Sequence, residues 1–187
     1  MNELVLGVFW MIYYVMHSAM ATSRFKLYLK LTVPTFYPYY RFVYSTFASV
    51  NFLLLLWLHL IVSSESIFDT GNLRFAGYAF CLASAIVLAI AGKAYGSGFL
   101  FREEKNKYLI RSGLNAYVRH PLYFGILLFL VGIFLIAPNW KNLVFAVIST
   151  LYLIVGTLLE ERKLIDEFGE EYLNYRKEVK MLIPWVF

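Results

Sequence analysis

The chain has 187 residues, of which 60% are hydrophobic and 19% aromatic, and its mean hydropathy is +0.63. This composition lies far from that of soluble globular domains and indicates a membrane protein. The formal net charge of +5 is explained by basic loops beside membrane spans, so it gives no reason to infer a nucleic-acid partner. The single cysteine, Cys81, lies inside an apolar run, which excludes an intramolecular disulfide.

Five long runs without Asp, Glu, Lys or Arg divide the chain. Each holds close to the ~20 residues that a helix needs to cross ~30 Å of hydrocarbon, and a run in lipid must be helical to satisfy its own backbone. We therefore predict an all-α integral membrane protein, a single membrane domain over residues 1–187, with about five transmembrane helices. The runs are residues 4–21, 42–62, 75–92, 121–140 and 142–159.

The distribution of basic residues predicts the orientation in the membrane. Fifteen of the seventeen Lys and Arg residues lie in residues 22–41, in residues 93–120 or after Leu159. The positive-inside rule then places the N-terminus outside and the C-terminus in the cytoplasm. The first basic loop, which also carries prolines and aromatic residues, is predicted to lie at the level of the lipid headgroups.

Some polar residues of the first three runs leave two interpretations open. His17, near the cytoplasmic end of the first run, either bonds a neighbouring helix or contacts a substrate.

The third run is rich in small residues that allow close helix packing. Gly96 and Gly98 follow this apolar helix and no strand, so they do not predict a dinucleotide-binding loop; they are expected to end the helix.

A polar segment, residues 117–125, spans the start of the fourth run. Pro121 is predicted to start the helix, because proline is favoured in the first helical turn. The positive end of the helix dipole would then lie beside Arg119 and His120, which suits an anionic group such as a carboxylate. The alternative is a basic anchor at the headgroups. A turn is predicted just upstream, at Ser112 and Gly113.

Paired carboxylates, Glu160 and Glu161, end the fifth run. Two acidic residues at a membrane boundary, opposite a basic motif, suit a cationic ligand group or a proton. An amphipathic cytoplasmic helix is predicted to follow, divided or kinked at Gly169, with Arg176 on its wet face. Residues 183–187 are predicted to return to the interface.

These motifs, taken in order, resemble the isoprenylcysteine carboxyl methyltransferase family, whose superfamily includes phospholipid methyltransferases and methanethiol S-methyltransferases. The resemblance covers roughly residues 109–185. In the first half, His17 and Arg41 are similar to the pattern of small bacterial members. The motifs are Arg119-His120-Pro121 with Tyr123 and Gly125, then Glu160-Glu161, then Phe168-Gly169 with Tyr172, then Ile183-Pro184.

The resemblance implies S-adenosylmethionine as cofactor, bound on the cytoplasmic side in residues 93–187, with three spans in residues 1–92. It implies a lipophilic small-molecule or lipid substrate in contact with His17 and Arg41, and catalytic roles for Arg119, Glu160 and Glu161. It implies neither a metal nor a nucleic acid. The residues expected to line the cofactor pocket are Tyr117, His120, Pro121, Tyr123, Glu160 and Glu161.

One departure from the family bears on the substrate. Carboxyl-methylating members carry an arginine about one turn before the paired glutamates, whereas residues 154–158 here carry no charge. This disfavours a prenylcysteine carboxylate and favours a neutral thiol or amine. Two other classes stay open: an NADPH-dependent membrane reductase, and a non-catalytic regulatory or assembly protein of the same fold.

Overall fold

A computed structural model describes residues 2–95 and 109–184. The described residues form α-helices joined by short turns, with isolated β-bridges and no named strand among them. The predicted helix end at Gly96 and Gly98 lies outside the described residues, as do residues 185–187 of the segment 183–187 that was predicted to return to the interface. The helices are α1 Glu3–Ala21, α2 Ser23–Thr32, α3 Tyr40–Ile61, α4 Leu73–Tyr95, α5 Pro121–Ile136, α6 Trp140–Phe168 and α7 Glu170–Glu178.

Four of the described helices are long and apolar enough to cross a membrane, namely α1, α3, α4 and α6. The fifth apolar helix, α5, has 16 residues and is shorter than an average span. The predicted all-α membrane architecture is therefore confirmed. One element was not predicted: α2 is a separate helix in the basic loop, and the Thr22 hydroxyl accepts a hydrogen bond from the Phe25 amide at its N-terminus.

Contacts within the chain group the residues into two compact units, which are described separately. The first comprises Met1–Ile67 and Asn139–Ile148, and the second comprises Phe68–Pro138 and Ser149–Phe187. In the first unit, α1 packs on α3 and on the first turns of α6 around Trp10. Its indole ring lies 4.6 Å from the ring of Phe145 and contacts a buried cluster of Leu6, Leu55 and Val62.

A polar group closes one end of this first unit. The buried His59 shares a 2.8 Å hydrogen bond with the Asn142 side chain, and the Lys141 ammonium donates to the carbonyls of His59 and Val62. A lysine that binds the last carbonyls of a helix stabilises its C-terminus. His59 therefore has a structural environment at the end of α3.

The second unit depends on close contact between α4 and α5 along a line of small residues. A Cβ added at Gly132 would lie 2.5 Å from the Cys81 sulfur, and one added at Gly77 would lie 2.8 Å from the Gly132 carbonyl. The buried Ser84 hydroxyl donates to the Gly125 carbonyl at 2.7 Å. Small side chains let helix backbones approach each other in lipid, so the predicted role of the small residues in this span is supported.

Gly169 shapes the C-terminal part of the second unit. Gly169 has a φ of +53°, a left-handed conformation that glycine adopts at little cost, and it separates α6 from α7. This position matches the predicted division of the C-terminal helix.

We expect Gly132→Ala to destabilise the protein on the order of 1–3 kcal/mol, because the new methyl group overpacks a closed contact. Gly92→Ala is the matched control: it lies in the same helix pair, and a Cβ there meets nothing within 4 Å. Since alanine favours a helix over glycine by about 1 kcal/mol, the control should keep or raise the thermal unfolding temperature in detergent. Equal loss in both variants would contradict the packing explanation.

Candidate active site

The polar segment before α5 is held by backbone pairing with the C-terminal tail. The Arg119 amide donates to the Lys180 carbonyl at 2.9 Å, and the His120 amide donates to the Met181 carbonyl at 3.1 Å. Val118 and Lys180 form a parallel β-bridge. The loop before α5 and the C-terminal tail, which are distant in the chain, are thus fixed side by side just before the helix begins at Pro121.

A turn upstream completes this support. Gly113 has a φ of +64° and begins a short 3-10 helix, which confirms the predicted turn at Ser112 and Gly113. The buried Asn115 side chain donates to the Arg119 carbonyl at 3.2 Å, and the Tyr175 hydroxyl donates to the Asn115 carbonyl at 2.5 Å. The loop is therefore bonded to α7 as well as to the tail.

The carboxylate of Glu161 lies at the centre of the site. Arg119 binds it through two parallel hydrogen bonds, Nε to Oε1 and Nη2 to Oε2, both of 2.9 Å. A bidentate arginine is among the strongest partners that a carboxylate finds in proteins. The remaining nitrogen of the guanidinium, Nη1, donates to the carbonyls of Val179 and Arg176, so the arginine also secures the tail.

Three further side chains contact the same carboxylate. His120 Nε2 lies 2.8 Å from Oε1, the Tyr172 hydroxyl donates to Oε1 at 2.5 Å, and Arg176 Nε lies 3.2 Å from Oε2. We call Glu161 with Arg119, His120, Tyr172 and Arg176 the Glu161 cluster. A buried carboxylate is stable only with such partners, and removing one partner typically costs 3–5 kcal/mol.

Tyr172 enters this cluster as a neutral donor. Burial of the phenol raises its pKa far above the usual range, and the hydrogen bond to Glu161 and the negative charge of Glu161 raise it further. The phenol therefore keeps its proton at any pH near neutrality. The phenol uses this proton to donate its hydrogen bond to Glu161.

Glu160 has a different environment from its neighbour. Its side chain is 45% exposed, whereas that of Glu161 is 6% exposed, because adjacent residues of a helix point about 100° apart. Glu160 Oε2 lies 3.8 Å from His120 Nδ1, too far for a hydrogen bond. The sequence did not distinguish the two glutamates; the structure gives Glu161 the inward position and leaves Glu160 partly open.

The imidazole of His120 lies between the two glutamates. The Glu161 carboxylate can only accept from Nε2, so a neutral ring would carry its proton on Nε2 and have the lone pair of Nδ1 on the side of Glu160. Tyr123 stacks on the imidazole with ring centroids 5.7 Å apart. Pro121 is buried in the first turn of α5, as predicted, and Tyr117 is exposed.

The sequence missed three contributions to the site. Tyr172 was named only within the family motif, without a role, and the Val179 carbonyl was given no role. Arg176 was predicted to lie on the wet face of the tail helix; its side chain is 41% exposed, and it also contacts Glu161. These residues lie beyond the helix break at Gly169, and no periodicity in the sequence relates their positions to Glu161.

His17 and Arg41 lie in the first compact unit. The Tyr44 hydroxyl is 3.1 Å from His17 Nδ1, and Tyr13 stacks on the imidazole. Arg41 is half-buried at the start of α3. Their contact with a substrate stays a prediction. Among residues 2–95 and 109–184, no group of His, Cys, Asp or Glu is arranged to hold a metal ion.

Comparison with known proteins identifies relatives. Methanethiol S-methyltransferase 1 of Bradyrhizobium diazoefficiens is 34% identical over 91% of this chain and 63% of that protein. Methanethiol S-methyltransferase of Crocosphaera subtropica is 34% identical over 94% of this chain and 72% of that protein. Protein-S-isoprenylcysteine O-methyltransferase of Schizosaccharomyces pombe is 29% identical over 65% of this chain and 51% of that protein. No solved structure matches at a significant level.

The family match covers most of the site. Residues 67–171 match the family model described as "Phospholipid methyltransferase", a range that contains Arg119, His120 and both glutamates. The match covers more than half of the chain and confirms the resemblance noted from the sequence. The described apolar helices and this relationship support a multi-pass membrane protein. The chain belongs to the phospholipid methyltransferase family.

Proposed function

We propose that this protein is an integral membrane methyltransferase that uses S-adenosylmethionine to methylate a neutral lipophilic thiol. The observation that carries the proposal is the juxtaposition of Glu160 Oε2, on a side chain that is 45% exposed, and Nδ1 of the buried His120, 3.8 Å apart at the Glu161 cluster. Family membership supports methyl transfer as the reaction.

The residues around this pair fit the chemistry of the cofactor. The two acceptors would hold its ammonium group, which donates hydrogen bonds and carries positive charge. The first turn of α5, which begins at Pro121, would bind its carboxylate, because helix N-termini offer free amides and a positive dipole end. The rings of Tyr117 and Tyr123 would offer faces to its sulfonium.

When bound, S-adenosylmethionine supplies an electrophilic methyl group for an in-line displacement. The protein must then position a sulfur nucleophile and exclude water. A thiol must also lose its proton, and Glu160 cannot take that proton while it holds the cofactor ammonium, so the proton leaves to solvent before the thiolate reacts. A substrate that arrives as a thiolate needs no base.

Arg119 and Glu161 act as positioning residues in this proposal. Their polar atoms are engaged with each other, with His120 and with the tail, so they orient the imidazole and fix its protonated nitrogen. This revises the predicted direct contact of Arg119 with a substrate or cofactor carboxylate.

The choice of a thiol has two supports. Several relatives that match more than 90% of this chain are named methanethiol S-methyltransferases, and the turn before the glutamates lacks a cation for a substrate carboxylate. Thr157 in that turn is fully buried, and its hydroxyl donates to the Leu153 carbonyl, so it offers no alternative anchor. The chain spans 63% of the length of the first of these relatives, so the name of that relative does not carry the proposal by itself. Thiol methylation is proposed from the two observations together.

The site is proposed to face the cytoplasm, in the half formed by residues 93–187. The basic segments before α5 and after α6 support this orientation through the positive-inside rule. The N-terminus would then lie outside. The partners are the membrane and a lipophilic substrate that enters from it.

Binding of the cofactor by the detergent-purified protein tests the proposal. We expect S-adenosylmethionine and S-adenosylhomocysteine to bind saturably in calorimetry, and Glu160→Gln and His120→Ala to weaken binding at least tenfold, since the first removes the negative charge and the second removes the imidazole. Asp166→Asn, an exposed carboxylate on the same helix, is the matched control and should bind like the wild type. Methyl transfer to methanethiol and to longer alkyl thiols would be measured alongside.

The other outcomes separate the alternatives. Binding of NADPH alone would support the membrane reductase. If the folded protein binds neither S-adenosylmethionine, S-adenosylhomocysteine nor NADPH, the non-catalytic interpretation would be supported. Unchanged binding in both site variants would overturn the assignment of the pocket while leaving the reaction open.

Tyr172→Phe tests the Glu161 cluster. The variant removes one hydrogen bond to a buried charge, which costs on the order of 2 kcal/mol, so we expect a lower unfolding temperature and reduced methyl transfer. Tyr78→Phe, an exposed tyrosine of α4, is the control for removal of a hydroxyl. If the two variants have the same stability as the wild type, Tyr172 does not hold the carboxylate in solution.

A further inference from the structure

We propose that the first compact unit contains a binding groove for one long apolar chain that carries a neutral hydrogen-bonding end group. The groove lies between α1 and α3, and its walls come only from these two helices. This site does not rest on the proposed methyl transfer, because each is carried by different residues.

The shape of the groove favours a single chain. Its volume is about 260 Å³, near the lower end of the range for small-molecule sites. Its lining runs along α3 from Tyr44 to Leu58, which at 1.5 Å per residue is about 21 Å. A small volume spread over such a length accommodates one extended alkyl or prenyl chain better than the two chains of a phospholipid.

The chemistry of the lining favours an uncharged occupant. None of the lining residues is Asp, Glu, Lys or Arg, so a phosphate or carboxylate would be buried there without a counter-charge, at high cost. Most of the wall is apolar, and α1 contributes Met16 and Met20. Methionine side chains adapt to ligands of different shape.

Polar atoms at one end of the groove provide a place for the end group. The Tyr44 hydroxyl lies 3.1 Å from His17 Nδ1 and 3.3 Å from Nε2. The hydroxyl also lies 3.3 Å from the His17 carbonyl. Because it has one proton, it donates to at most one ring nitrogen, which leaves at least one nitrogen of His17 for a ligand. Both side chains line the groove. An alcohol, thiol or amide could bond there, with its chain extending toward Leu58.

Photocrosslinking of the intact purified protein tests this proposal. The probe is a sixteen-carbon alcohol with a photoreactive diazirine in its chain, competed with unlabelled hexadecanol, and labelled peptides are mapped by mass spectrometry. We expect saturable, competed labelling confined to peptides of α1 and α3. Ala48→Phe should reduce it at least tenfold by filling the groove, and His17→Ala should reduce it several-fold.

Val50→Phe is the matched control, because this residue of α3 is exposed and does not line the groove; it should label like the wild type. Should Ala48→Phe fail to fold, Met16→Trp fills the groove from α1 at a side chain that is 44% exposed. Labelling that persists in a folded, filled variant, or that spreads evenly over all apolar helices, would overturn the site.

A second probe distinguishes the source of the chain. A phosphatidylcholine with the same diazirine in one acyl chain should label the groove no more than the other membrane-exposed surfaces. Preferred labelling of the groove by this probe would overturn the assignment to a neutral single-chain ligand. Absence of methyl transfer by the wild-type protein, together with intact labelling of the groove, would contradict the proposed function alone.

Discussion

The rest of the C-terminal unit depends on the burial of one carboxylate. Glu161 is almost fully inaccessible to solvent, and an unpaired charge in such a place is strongly unfavourable. Its partners come from two parts of the chain: the loop before α5 supplies Arg119, and α7 supplies Tyr172 and Arg176. Satisfying the carboxylate therefore requires both parts to converge on it, which fixes the loop and the tail relative to the end of α6.

This requirement explains why two adjacent glutamates can differ in function. The oxygens of Glu161 accept hydrogen bonds from other residues of the protein, and His120 contacts them through Nε2. Glu160, which is partly exposed, lies 3.8 Å from Nδ1 of the buried imidazole and is the carboxylate that remains for a ligand. A single acidic residue could not both hold the fold and bind a ligand, because its lone pairs would be shared between the two tasks.

The sequence predicts those features of the structure that follow from local rules. Apolar runs located the helices, Pro121 marked the start of α5, and Gly113 and Gly169 marked a turn and a helix break. The convergence of Tyr172 and Arg176 on Glu161 depends on the angle between α6 and α7, which no local pattern encodes. The pairing of Arg119 with Lys180 likewise joins segments about sixty residues apart, beyond the reach of periodicity.

The position of His120 follows from constraints on both of its sides. On the helix side, α5 is fixed against α4, because the space beside Gly125 is filled by Leu88 and the Gly125 carbonyl accepts from Ser84. That glycine therefore serves helix packing and leaves no room for a ligand. On the loop side, the tail holds the backbone of His120 itself. An imidazole held at both ends needs little reorganisation to bind a ligand, which is how a rigid scaffold contributes to binding and catalysis.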